Sequence, residues 1–147
     1  MRSTSRRPLL AACTFALAGC LGEDDPYADE EMVENEPDYG GWLGNADHPG
    51  TVDRTGEGET GVEVGAGRDG LAFFPTAIRV DRGATVVWEW TGAGGRHNVV
   101  EREGTFESDQ TGEAGHTFEH TFEEEGRYAY VCTPHERQGM KGAVDVV

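Results

Sequence analysis

Apolar and polar side chains alternate most cleanly over residues 84–91, where Val86, Trp88 and Trp90 fall on one face and Val87, Glu89 and Thr91 on the other. A period of two marks a strand with one buried face. Shorter β-like runs at 61–65, 77–80, 97–101, 116–122, 126–131 and 142–147 are separated by glycine and charged turns. No helical period of any length appears. The pattern predicts an all-β fold, an antiparallel sandwich of about seven to eight short strands. Trp88, Trp90, Phe73, Phe74, Tyr128 and Tyr130 read as its core rather than as a ligand-binding set.

Upstream of these strands the pattern changes twice. Residues 1–19 contain three arginines, no acid and an apolar run from Leu9 to Gly19 that is too short to span a bilayer. They read as an export signal. Ser5-Arg6-Arg7-Pro8-Leu9-Leu10 resembles a twin-arginine signal, and Leu17-Ala18-Gly19-Cys20 resembles a lipobox, which makes Cys20 the expected lipidation site. Residues 23–38 then carry nine acids and no base, with Pro26 and Pro37 interspersed, too little apolar area to order the chain. The expected organisation is an export signal over 1–19, an acidic flexible tether over 20–38 and one domain over 39–147. Within it, 39–54 starts with an apolar patch at Tyr39-Gly40-Gly41-Trp42-Leu43 and continues in turn residues, so irregular structure is expected there. The predicted location is the extracytoplasmic face of the cell membrane.

Charge narrows the partners. The chain has 28 acidic against 12 basic residues, a net charge of −16, and loss of the arginine-bearing leader would deepen it. Nucleic-acid binding is excluded, because gripping phosphates needs clustered Lys and Arg. Lys141 is the single lysine, and this acid-rich, lysine-poor usage resembles proteins of salt-loving archaea. Strong like charge also favours a monomer and predicts stability that rises with salt.

Cysteine counting points to the chemistry. Cys13 lies in the signal and Cys20 at the lipidation site, so Cys132 is left as a lone thiol outside the cell, where a bound metal is one occupant that protects it. Cys132-Thr133-Pro134-His135-Glu136-Arg137-Gln138-Gly139-Met140 places a thiolate, an imidazole and a thioether within nine residues, a set that suits copper. Such a spacing arises by chance about 0.002 times in a chain of this composition. A trigonal blue-copper centre takes two histidines, one cysteine and a long axial methionine. Gly95-Arg96-His97-Asn98-Val99-Val100 offers the second histidine.

His97-Asn98-Val99-Val100 followed by Cys132-Thr133-Pro134-His135 and Met140 resembles the cupredoxin family, its plastocyanins and above all its halocyanins. Gly41-Trp42-Leu43 and Val52-Asp53-Arg54-Thr55-Gly56 resemble the start of halocyanin domains, so the resemblance covers roughly residues 39–147. It implies a Greek-key sandwich holding one type 1 copper ion on His97, Cys132, His135 and Met140. It implies a non-enzymatic carrier of single electrons between protein redox partners, membrane electron-transport complexes among them. Asn98 and Pro134 are implied to brace the loop around the Cys132 sulfur, and His135 to be the electron exit. Arg137 stands where such loops often carry a small residue. Val131 stands where plastocyanins carry an aromatic used as a second contact route. The alternative is an extracytoplasmic lipoprotein that delivers or stores copper with the same ligands. His116 and His120, about 13 Å apart on one strand, are too distant to chelate a single ion, and His48 is expected to be solvated.

Overall fold

The computed structural model describes residues 25–147, so the export signal, Cys20 and the first residues of the tether lie outside the described residues. The chain divides into two compact units, residues 1–30 and 31–147. In the first, residues 25–30 form a turn in which the Asp25 carbonyl accepts from the Ala28 amide.

The second unit is a sandwich of nine short strands: β1 (Val52–Asp53), β2 (Glu59–Ala66), β3 (Ala72–Phe74), β4 (Ala77–Val80), β5 (Thr85–Trp90), β6 (Val100–Glu101), β7 (Thr117–Thr121), β8 (Gly126–Val131) and β9 (Lys141–Val146). One sheet runs β1-β4-β9-β8-β6 and the other β3-β2-β5-β7. The predicted period of two holds. Val86, Trp88 and Trp90 of β5 are fully buried, as are Val62 and Val64 of β2, while Glu59, Glu63 and Glu89 face solvent. Trp88 fills the centre, with ring centroids 5.3 Å from Phe106, 5.7 Å from Phe118 and 5.4 Å from Tyr130.

Four sequence expectations need correction. The sheets are mixed rather than antiparallel, since β1–β4, β4–β9 and β2–β5 pair in parallel. Alternation reports which face is buried and carries no information on the direction of a distant partner. The strand expected over 97–101 shrinks to Val100–Glu101, His97 making only an isolated bridge to Thr111. β1 and β3 form where irregular chain or no strand was expected, both being too short to show a period.

The fourth correction concerns the tether. From Glu31 onward the acidic segment is docked rather than flexible: Met32 bridges Val52, the Val33 amide donates to the Thr51 carbonyl, and the Asp53 amide donates to the Glu31 carbonyl. Glu36 accepts from the Thr51 amide (2.9 Å) and hydroxyl (2.6 Å) and lies 3.1 Å from His48 Nε2. His48 is half-buried against Glu36 and the Tyr39 ring. Specific backbone and carboxylate hydrogen bonds supply the order that apolar burial could not.

Residues 39–46 extend this cover over the outer face of the five-stranded sheet. Leu43 is buried with Ala77 and Ala143, and Tyr39, Trp42 and Ala46 pack around them. This explains why β9 is buried at five successive positions, Gly142 to Val146, although Ala143 and Asp145 face away from the sandwich interior. A strand covered on both faces loses its polar alternation. The outward Asp145 carboxylate is satisfied by Arg79 at 2.8 Å and Arg127 at 3.5 Å.

Candidate metal centre

β8 delivers Cys132 immediately after its last residue, and its pairing with β9 brings the chain back so that the intervening loop closes on itself. Residues 133–138 form a 3-10 turn with Pro134 in its first turn, where a missing N–H costs nothing. The Met140 amide donates to the His135 carbonyl (3.3 Å), and the Cys132 amide donates to the Met140 carbonyl (3.0 Å). Gly139 sits at φ 86°, and a Cβ there would run into the Asn45 carbonyl of the covering segment. The loop is thus held from within and from outside.

Opposite the loop, His97 is fully buried, as are Cys132 and Met140. His97 Nδ1 lies 3.6 Å and His135 Nδ1 3.4 Å from Cys132 Sγ. Among the described residues this is the one group of three or more His, Cys, Asp or Glu whose ligand atoms converge, all within 4.8 Å of one another. Two ligands that each approach one ion at about 2.0–2.3 Å, spread at trigonal to tetrahedral angles, sit roughly 3.5–3.8 Å apart. The observed nitrogen–sulfur separations agree with a shared ion. The donor set, one sulfur and two imidazole nitrogens with no carboxylate, fits copper.

The surroundings orient these atoms. His97 Nε2 is 2.7 Å from the Ala93 carbonyl, which can only accept, so that nitrogen carries the proton and Nδ1 keeps its lone pair for a metal. The bulge at Gly65 makes room, since a Cβ there would lie 2.7 Å from the Ala93 carbonyl and 3.3 Å from His97 Nε2. Asn98 bonds to the loop: its Oδ1 accepts from the Thr133 amide (2.9 Å) and its Nδ2 donates to the Thr133 hydroxyl (3.0 Å). Burial pushes the Cys132 thiol up, opposed by the Asn98 and His135 backbone amides. Burial likewise holds His97 below the usual imidazole range, the Ala93 carbonyl opposing and His135 reinforcing it. The metal-free site therefore favours a neutral imidazole and a protonated thiol.

His135 differs from His97 in being only half-buried, and Arg137 projects from the same turn into solvent. Val131 is buried and offers no surface contact. His116 stacks edge-on against Trp90, and His120 packs between Phe106 and Phe122, both as structural side chains. Sequence reasoning missed the Ala93 carbonyl and the Asn45–Gly139 contact. Neither has a side-chain signal, although the glycines around Ala93 mark a tight loop.

Residues 60–147 match the family described as copper binding proteins, plastocyanin/azurin family. Halocyanin of Natronomonas pharaonis is 60% identical over 98 residues, which cover 65% of this chain and 60% of that protein. Plastocyanin of Scenedesmus fuscus is 34% identical over 95 residues, 58% of this chain and 96% of the relative. Among solved structures, a purple cupredoxin from Nitrosopumilus maritimus superimposes with a TM-score of 0.51 at 28% identity, covering 60% of this chain and 99% of the other.

Proposed function

As the chain belongs to the plastocyanin/azurin family of copper-binding proteins, we propose that it carries single electrons between protein redox partners, anchored through Cys20 to the extracytoplasmic face of the membrane. His97, Cys132, His135 and Met140 would hold one type 1 copper ion. The observation that carries this reading is the buried convergence of Cys132 Sγ with the two Nδ1 atoms, the His97 lone pair already set by the Ala93 carbonyl. When bound, copper supplies a one-electron couple between Cu(I) and Cu(II).

The residues of the chain do the rest by staying still. His97 is held at its far nitrogen, Cys132 and Met140 are tied through the backbone, and Asn98 pins Thr133 beside the thiolate. Ligands that hardly move between oxidation states keep the cost of electron exchange low. Loading displaces the thiol proton, so copper affinity rises with pH. Pro134, which has no N–H to donate toward the sulfur, keeps the turn stiff beside His135. The half-buried His135 is the edge through which electrons leave. The protein is a monomeric carrier and not an enzyme. Three fully buried ligands, His97, Cys132 and Met140, fit an electron carrier better than copper delivery, which needs easy release of the ion.

Titrating the mature chain with Cu(II) tests this. An intense band near roughly 600 nm, as expected for a copper–thiolate site, should saturate at one equivalent by elemental analysis and vanish in Cys132→Ser. A colourless wild-type complex would refute the assignment. Membrane fractionation of Cys20→Ser, which should release the protein, tests the anchor.

A further inference from the structure

Trp42 lies outside the metal centre, in the segment that covers β8 and β9. Its indole N–H points at two carbonyls, Gly142 at 3.1 Å and Tyr130 at 3.3 Å. Tyr130 is two residues before Cys132 on β8, and Gly142 is two residues after Met140 at the start of β9. One indole edge thus touches both strands that carry ligands into the site. The ring is half-buried, so part of the side chain reaches solvent.

Two cations sit over this ring, the Arg102 guanidinium at 4.5 Å and the Lys141 ammonium at 4.6 Å from its centroid. Neither has an ion-pair partner among the described residues, in a chain of net charge −16 where acids are plentiful. The neighbouring Glu101 turns its carboxylate inward, accepting from the Glu103 and Thr105 amides. Lys141 is the single lysine of the chain. An exposed cation–π contact is worth only about 0.5–1 kcal/mol, too little for stability alone to demand two cations on one ring.

We propose that Trp42 is a second electron port, distinct from His135, and that Arg102 and Lys141 make its rim a docking surface for an acidic redox protein. The inference rests on the copper reading of the centre. One electron passes from the reduced site along the Cys132–Tyr130 backbone, across the hydrogen bond to the indole and onto the docked one-electron acceptor. The site is oxidised by one and the acceptor reduced by one. No proton moves and no bond forms or breaks, because the indole serves as a bridge and is not itself oxidised. Charge complementarity selects the partner: in a chain of net charge −16, this rim sets two cations over one ring, which favours an anionic surface.

The test is stopped-flow oxidation of the reduced, copper-loaded mature chain by anionic hexacyanoferrate(III) and by cationic tris(phenanthroline)cobalt(III). Both are followed at the lowest salt where the domain stays folded and again in molar KCl. Arg102→Gln combined with Lys141→Gln should slow the anionic reagent roughly three- to tenfold at low salt and much less at high salt. Trp42→Phe, which keeps a ring but loses the N–H, should slow the anionic reagent at both salts. Neither variant should slow the cobalt reagent or change the visible band and potential. Equal slowing with both reagents, or a shifted potential, would show that Trp42 only supports the site. Unchanged rates with an intact band would remove the port and leave the copper reading standing, whereas loss of the band in wild type would remove that reading itself. Protection of the Arg102 and Lys141 amides by phosphatidylglycerol vesicles, with no rate change in the variants, would assign the rim to lipid headgroups instead.

Discussion

Replacing Gly139 with alanine should disturb both stability and the copper site, because this residue joins the ligand loop to the segment that covers it. Its φ of 86° is left-handed, a conformation that costs a residue with a Cβ about 1–2 kcal/mol. The added methyl would also press on the Asn45 carbonyl, backbone that cannot swing aside. Displacing packed structure costs a further ~1–3 kcal/mol, giving about 2–5 kcal/mol against a typical domain stability of about 5–15 kcal/mol. At roughly 3–6 °C per kcal/mol for a domain of this size, melting should fall by about 6–30 °C.

Gly83→Ala is the matched control. Gly83 has φ of 90° but nothing within 4 Å of where an added methyl would sit, so it bears the conformational cost alone. Melting in molar KCl by circular dichroism, with and without copper, measures the difference. Because the Gly139 amide donates to the Glu136 carbonyl and the Met140 amide to the His135 carbonyl, the strain reaches two of the proposed ligands, and the visible band of Gly139→Ala should shift. Equal melting of the two variants with an unchanged band would refute the claim that Asn45 clamps the loop.

Asn98→Ala leaves the Thr133 amide without its acceptor. It should cost about 1–3 kcal/mol in chemical denaturation and shift the reduction potential, while Asn98→Asp retains the acceptor and much of the stability. His120 is held below the usual imidazole range by burial, with Glu101 opposing. The unfolded chain therefore binds its proton more readily, and stability is full above the unfolded value of about 6.5 and lost as pH falls from there to the lower folded value. Melting of the metal-free protein between pH 8 and pH 5 should show this loss, less steeply in His120→Gln. With a net charge of −16, raising KCl from about 0.1 M to 1 M shortens the Debye length from roughly 10 Å to 3 Å and should raise the melting midpoint; a flat response would refute self-repulsion as a limit on stability.

The sandwich was legible because a strand's buried face repeats every second residue, and β5 displays that repeat without interruption. Burial on both faces erases it, which is why β9 reads only as an apolar run. The acidic segment from Glu31 to Asp38 misled for a related reason. Its composition argues against order, yet its order comes from Glu36 meeting Thr51 and His48, residues more than ten positions away.

By itself the sequence determined the candidate chemistry: a thiol at Cys132, His135 and Met140 at close spacing behind it, and His97 through resemblance. These are properties of residue identity and short spacing, which a chain carries whatever its path. Tertiary structure alone decided that His97 and His135 present Nδ1 to one sulfur, that a carbonyl at Ala93 sets the His97 proton, and that Trp42 bridges β8 and β9. Backbone carbonyls are the same at every residue, so which of them meets a given side chain depends on long-range pairing and leaves no mark in residue type.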